Sequence, residues 1–507
     1  MSRATSRQEY NISEFQRIRY KPDIPPYERS CQYIPPTQYS GPRPLRNSLA
    51  RRWYTALLEQ HEKLWSVPPS PARNWTFALR ALRSRNYRLF FGGQSISLIG
   101  TWMTRLATSW LVYRLTGSAL LLGVVAFTSQ IPVFFLSPLA GVWIDRWDRH
   151  RTLVVTQVLS MLQSFTLAAL SLSGRITVAE LIGLALLQGV VNSFDMPTRQ
   201  SFVVRMVDDR RDLGNAIALN SSMVNAARLV GPALAGVVIA AVGEGWCFFI
   251  DGVSYMAVIL SLLLMRVVRA PAPVVRQDVL GELIEGWNYA TRSLPIRSIL
   301  LLLSLVSLVG MPYTVLMPIF AAQILHGGPH TLGFLMAATG VGALTSAILL
   351  AARKSVLGLG KMIPISAALF GATLIAFAAS RSFWLSMVLL LGTGFGFIQQ
   401  LAASNTILQT IVEEGKRGRV MAFYSMAFQG VAPFGSLLAG ILAARIGAPG
   451  TLMLGGGLCI AGAIVFARGL PAMRQATRPI YARLGILPQV PEAPEAIPVI
   501  LPEAPEA

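Results

Sequence analysis

The chain has 507 residues, of which 53% are hydrophobic and only 13% charged, and its mean hydropathy is +0.52. A soluble globular chain carries roughly a quarter charged residues, so the composition excludes the ordinary soluble classes and predicts a membrane protein. The 44 Lys and Arg against 24 Asp and Glu give a formal net charge of +20, which would suit a nucleic-acid binder only if the basic residues gathered on one face of a soluble fold.

Residues 1–80 are polar and proline-rich, with Pro25–Pro26, Pro35–Pro36 and Gly41–Pro42–Arg43–Pro44, and contain no apolar core of signal-peptide length. They are expected to be a cytoplasmic, largely disordered extension. Helix-length apolar windows then follow at 90–113, 119–142, 152–172, 178–195, 216–241 and 246–267. A second set follows at 297–321, 331–352, 362–380, 383–407, 420–443 and 448–467. Each is close to the roughly 20 residues needed to cross the hydrocarbon core, which predicts an all-α membrane protein of twelve transmembrane helices. The window at 178–195 is the weakest, because Asn192, Asp195 and Arg199 arrive early.

The segment 268–295 is the longest connection and divides the chain into an N-terminal six-helix bundle, 81–267, and a C-terminal one, 296–470. Within it, residues 278–293 predict an amphipathic helix at the membrane interface, with Ile284 and Trp287 on its apolar face and Glu285 and Arg292 on the other. Residues 471–507 end in an imperfect Pro-Glu-Ala repeat and read as a disordered cytoplasmic tail.

The basic residues decide orientation. Connections on the side of the termini hold Arg146, Arg149, Arg151, Arg205, Arg210, Arg211, Arg266, Arg353, Lys361, Lys416, Arg417 and others, whereas the opposite loops hold Arg114, Arg175, Arg381 and Arg445. The positive-inside rule therefore puts both termini in the cytoplasm of a multi-pass protein of the inner (plasma) membrane. Topology thus accounts for most of the positive charge and leaves nucleic acid no part as a partner. Three scattered cysteines, Cys31, Cys247 and Cys459, and four histidines offer neither a disulfide framework nor a metal-ligand spacing. No metal, cofactor or nucleophile constellation is predicted, and the chain does not read as an enzyme. No Walker sequence is present, which disfavours direct drive by ATP.

The halves repeat one another weakly. Val207-Asp208-Asp209 precedes a helix with Gly231-Pro232 and Gly236, and Val412-Glu413-Glu414 precedes, at nearly the same spacing, a helix with Gly435 and Gly440. Such duplication fits two bundles that rock about a central site.

The most specific local signal is Gly141-Val142-Trp143-Ile144-Asp145-Arg146-Trp147-Asp148-Arg149-His150-Arg151, between the second and third spans. It resembles the Gly-x-x-x-Asp-Arg-x-x-Arg-Arg signature of the major facilitator superfamily, with His150 in place of one basic residue. The resemblance covers about residues 80–470 and implies the major facilitator fold of two pseudo-symmetric bundles. It also implies a cytoplasmic gate formed by Gly141, Asp145, Arg146, Asp148, Arg149 and Arg151. Gly231-Pro232 resembles part of the family's antiporter motif, and here Gly231, Pro232, Gly236, Gly435 and Gly440 are expected to pack helices closely. Gly100-Thr101-Trp102-Met103, Asp195-Met196-Pro197-Thr198-Arg199-Gln200 and Asn225-Ala226-Ala227-Arg228 resemble the enterobactin-exporter and multidrug-efflux branch.

Charges inside the spans are costly unless they face a wet cavity or a partner. Arg105, Arg228 and Asp251 are such charges, and Arg228 is read either as attracting an anionic substrate or as paired with an acid such as Asp195. Together with Gln130, Asn192, Asn225, Tyr313, Gln400 and Phe423 they make the candidate substrate-binding or coupling set. The resulting expectation is a monomeric secondary transporter, surrounded by membrane lipid, that exports a small amphipathic compound of siderophore, drug or metabolite type in exchange for protons, by alternating access. Import of a nutrient or metabolite is the alternative, and a transport-inactive membrane sensor or structural protein a third.

Overall fold

The computed structural model describes residues 79–487 apart from residues 145, 146, 267–278 and 354. The N-terminal extension, most of the segment joining the halves, Lys354 and the Pro-Glu-Ala tail lie outside the described residues. So do Asp145 and Arg146 of the signature motif.

Every regular element among the described residues is helical. After a short turn at Arg80–Arg83 come α1 (Arg85–Thr116), α2 (Ala119–Ile144), α3 (Arg149–Leu172), α4 (Val178–Met206), α5 (Leu213–Val242) and α6 (Glu244–Leu263). A separate α7 (Val279–Arg292) precedes α8 (Leu294–Leu305), α9 (Tyr313–Ile319), α10 (Pro329–Ala351) and α11 (Leu359–Ala379). The chain continues through α12 (Phe383–Ile411), α13 (Glu414–Ser425) and α14 (Ala432–Arg483). Ten described stretches are long and apolar enough to cross a membrane.

Local chemistry sets the boundaries. Asp148 caps α3 by accepting from the backbone N–H groups of His150 and Arg151 at 2.9 and 3.2 Å, and so satisfies donors the first turn leaves orphaned. Thr177 and Glu180 form a reciprocal capping box at the start of α4. Beyond the end of α4, the backbone and side-chain N–H groups of Arg211 hold the Asp209 carboxyl below its usual range.

The span expected over 297–321 lies within one membrane-long stretch, Leu294–Ile324, whose helix widens twice. Wide turns at Val306–Gly310 and Phe320–Ile324 flank α9, because Pro312 and Pro318 have no backbone N–H and crowd the preceding turn. A third wide turn, Met426–Gly430, separates α13 from α14. It meets the first one directly, since the Ser307 hydroxyl donates to the Phe428 carbonyl at 2.7 Å. Within α14, Gly447 has φ 76°, a left-handed conformation that glycine adopts without a Cβ clash, and it folds the helix back on itself.

The distribution of polarity is that of a protein dissolved in lipid. Ile365, Trp384 and Val465 are exposed, while Gln94, Gln157, Gln163, Ser193, Gln399 and Gln400 are buried. In water the large apolar patches would be a liability and the buried amides a cost; in a bilayer the exterior is favourable and the amides serve as interhelical bonds.

Two ends can be told apart. The distal end carries the turns at Gly117, Gly174, Gly243 and Gly447, and there Arg114 pairs with Glu244 at 2.9 Å. The proximal end carries the α2–α3 and α4–α5 connections. There Asn86 exchanges hydrogen bonds with the backbone of Arg266, Tyr87 donates to Ala216, Arg80 pairs with Asp212 at 3.0 Å, and His150 bonds the Leu262 carbonyl. Helix α7 is held at this end against α13 by Arg419–Glu285 at 2.7 Å and by the edge-to-face rings of Trp287 and Phe423.

Candidate functional site

The site begins with a close approach of α1 and α5. A methyl group added at Gly231 would lie 2.5 Å from Trp102 Cβ and 3.0 Å from the Ile99 carbonyl, so only a residue without Cβ lets these helices meet here. Leu98, Met223 and Ala227 form the apolar contact below, with Trp102 packed against it. Trp102 is thereby fixed one turn from Arg228.

Both expected intramembrane arginines use that indole. The guanidinium carbon of Arg105 lies 4.8 Å from the Trp102 ring centroid and that of Arg228 lies 5.2 Å from it. These are cation–π distances. Arg228 is also within electrostatic range of Tyr313, on α9 of the second half, and Arg105 of Tyr255 and Arg199. Arg228 thus approaches the second half, while the charged and phenolic neighbours of Arg105 all belong to the first. The Nε of Arg228 is buried without a hydrogen-bond partner.

Asp251 on α6 forms a second polar centre. One carboxyl oxygen accepts from the Thr104 hydroxyl at 2.9 Å and the Ser164 hydroxyl at 2.8 Å, joining α1, α3 and α6. The other is buried and has no partner. Gly100 makes room for it, since a Cβ there would stand 2.7 Å from that oxygen.

Asp195 lies elsewhere and does not pair with Arg228. It accepts from Thr156 at 3.0 Å and Gln157 at 2.7 Å on α3, and pairs with Arg199 one turn along α4 at 3.4 Å. An i,i+4 partner on its own helix is the nearer solution for this carboxylate. Asn192 accepts from Gln188 at 3.2 Å; Gln130 and Asn225 donate to carbonyls of their own helices. The Gln400 side chain is fully buried, and neither its oxygen nor its nitrogen has a partner; the Ser404 hydroxyl one turn on is likewise unpartnered. Phe423 packs under Trp287 of α7 and so belongs to the proximal end. Of the expected gate, Asp148 caps α3, while Asp145 and Arg146 are outside the described residues.

The packing glycines mark where the halves touch. A Cβ on Gly236 would fall 2.9 Å from Gly333 Cα, and one on Gly123 would fall 3.0 Å from Gly440 Cα. Gly435 approaches the wide turn after α8 instead, at the Leu308 carbonyl, and Pro312 just before α9. Both cross-half pairs, α5 with α10 and α2 with α14, lie within two turns of the distal end.

Sequence reasoning used Trp102 only as part of a motif and passed over Thr104, Ser164, Tyr255 and Ser404. Trp102 precedes Arg105 by three residues, the spacing that places both on one helix face, and this signal was available. The hydroxyl donors to Asp251 come from separate helices, and no local pattern announces them.

Among the described residues, an apolar helical body whose spans carry arginines without ion pairs, a half-satisfied carboxyl and an unpartnered amide suits the passage of polar solutes through a membrane, the work of a transporter. Residues 76–484 match the profile of the family described as transmembrane secretion effector. The chain is 27% identical over 360 residues to the staphyloferrin A transporter of Staphylococcus aureus (strain NCTC 8325 / PS 47), covering 70% of this chain and 89% of that one. It is 25% identical over 367 residues to the multidrug efflux pump Tap of Mycolicibacterium fortuitum, covering 70% and 88%. Among solved structures, a POT family transporter in complex with 5-aminolevulinic acid superposes with a TM-score of 0.62 at 10% identity, covering 77% of this chain and 97% of that one. This last likeness is one of fold alone. The chain belongs to the transmembrane secretion effector family of the major facilitator superfamily. It is a membrane-embedded secondary transporter of small molecules, and not an enzyme.

Proposed function

We propose that this chain exports a small amphipathic compound across the plasma membrane in exchange for protons, by alternating access of an N-terminal bundle, 81–267, and a C-terminal bundle, 296–470. Two six-helix bundles follow if Arg85–Thr116 is added to the ten membrane-long stretches and the stretch Glu414–Arg483 is divided at Gly447. The positive-inside distribution supports a cytoplasmic proximal end and cytoplasmic termini. Export is supported by the description of the family and by the printed name of one relative, the multidrug efflux pump Tap.

The observation that carries this reading is the position of the two cross-half glycine pairs, both at the distal end. With the distal end outside, the described conformer is closed to the exterior and its central arginines await a solute from the cytoplasm. The opposite conformer requires these pairs to part and the Gly141–Arg151 cluster to close. Asp251 is the acid placed to carry the proton. It reaches α1, α3 and α6 at once, and its free oxygen is where a proton would sit. Occupation of the Arg105–Arg228 centre and protonation of Asp251 would then bias the same pair of states.

The experiment compares metabolites inside and outside cells that lack the protein and cells that overproduce it, with and without a proton uncoupler. Export predicts a compound retained in the deleted cells, released on overproduction and held back again by the uncoupler. Enrichment of a compound inside overproducing cells would replace export by import.

A further inference from the structure

Resting on the central site proposed above, we infer that the transported solute is an organic dianion, with two oxyanion groups set on either side of an apolar or aromatic body. The arrangement that points to it is a single indole shared by two guanidinium groups on different helices, Arg105 of α1 and Arg228 of α5.

The charge balance of the interior carries the argument. Two cations held within the sum of 4.8 and 5.2 Å of one another repel; Arg228 is half-buried with its Nε shut off from solvent, while Arg105 is exposed beside the same ring. Among the described residues neither forms an ion pair. The acids nearby do not supply the countercharge: Asp195 is bonded to Arg199, Thr156 and Gln157, and Asp251 gives one oxygen to Thr104 and Ser164 while its other oxygen has no partner and pairs with neither arginine. The Trp102 quadrupole offsets only part of the cost, and it is divided between two cations. The missing countercharge is therefore brought by the solute. A monoanion would neutralise one guanidinium and leave the other without a countercharge beside it. Two carboxylate-like groups match both, and each can take the planar fork of an arginine in bidentate fashion. The buried, unpartnered Nε of Arg228 is a donor available for that contact. Between the two ends, the exposed part of the Trp102 ring offers a flat apolar surface for the body of the solute.

The test uses three probes that differ in charge and share one ring: 1,4-phenylenediacetate, phenylacetate and neutral phenylacetamide. Their binding to the purified full chain in nanodiscs is measured by calorimetry, which does not depend on transport. The diacid is expected to bind at least about tenfold more tightly than the monoacid, the increment of a further charge-assisted contact. Arg105→Gln and Arg228→Gln should each abolish that difference while keeping the wild-type melting temperature within a few degrees, and Arg105→Lys should restore part of it. Equal binding of diacid and monoacid, preference for the neutral probe, no binding of the diacid, or a difference that survives both Gln variants overturns the inference. Flux of the diacid in proteoliposomes is measured separately. Binding with charge selectivity but no flux would leave the solute class standing and remove the transport cycle, whereas flux of neutral solutes alone would do the reverse.

Discussion

Gly236 and Gly333 meet backbone to backbone across the two halves of the chain: a methyl group on the first would lie 2.9 Å from the Cα of the second, and one on the second 2.8 Å from the Cα of the first. Gly123 and Gly440 repeat this contact on the other side. Neither pair tolerates a side chain, yet each holds together only helices from different halves. Overpacking such a contact costs about 1–3 kcal/mol, which falls on the distal-closed conformer and not on the folding of either half. Gly236→Val is therefore expected to shift the population toward a distal-open state by roughly tenfold. Spin labels at positions 175 and 381, in the distal turns, should report longer separations by double electron–electron resonance. An unchanged distance distribution together with a lowered melting temperature would mean that the glycine serves folding alone.

Asp251 makes a different prediction. Asn in its place keeps the shape and can still accept from Thr104 and Ser164, but it cannot exchange a proton. In proteoliposomes loaded with a pH-sensitive dye, Asp251→Asn should retain solute binding and lose solute-driven proton movement. Proton movement at the wild-type rate in this variant would remove Asp251 from the coupling step.

These two predictions show how differently the parts of the site stood in the sequence. Arg228 and Gly231-Pro232 were legible because a charge and a helix breaker in an apolar run are conspicuous where they stand. The membrane character was legible for the same reason, since the apolar windows are local. The window at 297–321 lies within one membrane-long stretch, Leu294–Ile324, but did not show its two wide turns around α9, although Pro312 and Pro318 stand there. Apolar composition counts the residues of a span and says nothing of the hydrogen bond a proline removes. Thr104 and Ser164 acquire their meaning only from Asp251 on another helix, and Trp102 acquires its second cation, Arg228, in the same way. The pairing of Asp195 with Arg199, and not Arg228, turned on which helix face each residue occupies. Phe423 sat in an apolar run like any cavity aromatic, and only the docking of α7 gives it Trp287 as its neighbour.

Asp148 separates a structural role from a gating one. Its carboxylate accepts two backbone N–H groups at the start of α3, and loss of such a cap costs about 1 kcal/mol. Asp148→Ala should lower the thermal stability by that order, and Asp148→Ser should restore it. If capping is the whole contribution, transport follows stability and Ser rescues both. Rescue of stability without transport would assign the charge itself to the gate.

Gln400 tests whether the interior polar groups serve the fold or the solute. A buried amide with neither end bonded destabilises a protein, by about 1–3 kcal/mol for each unsatisfied group. Gln400→Leu, which has nearly the same volume and no polar atoms, is therefore expected to raise the melting temperature by a few degrees. If the amide is kept for a solute that bonds it during the cycle, the same variant should transport more slowly than wild type although it is more stable. A gain in stability with undiminished transport would place Gln400 outside the path, and a loss of stability would mean that the amide is already bonded in the folded protein, through water. The opposed signs of stability and flux are the signature of a group held ready for a ligand, because a purely structural residue moves both in the same direction.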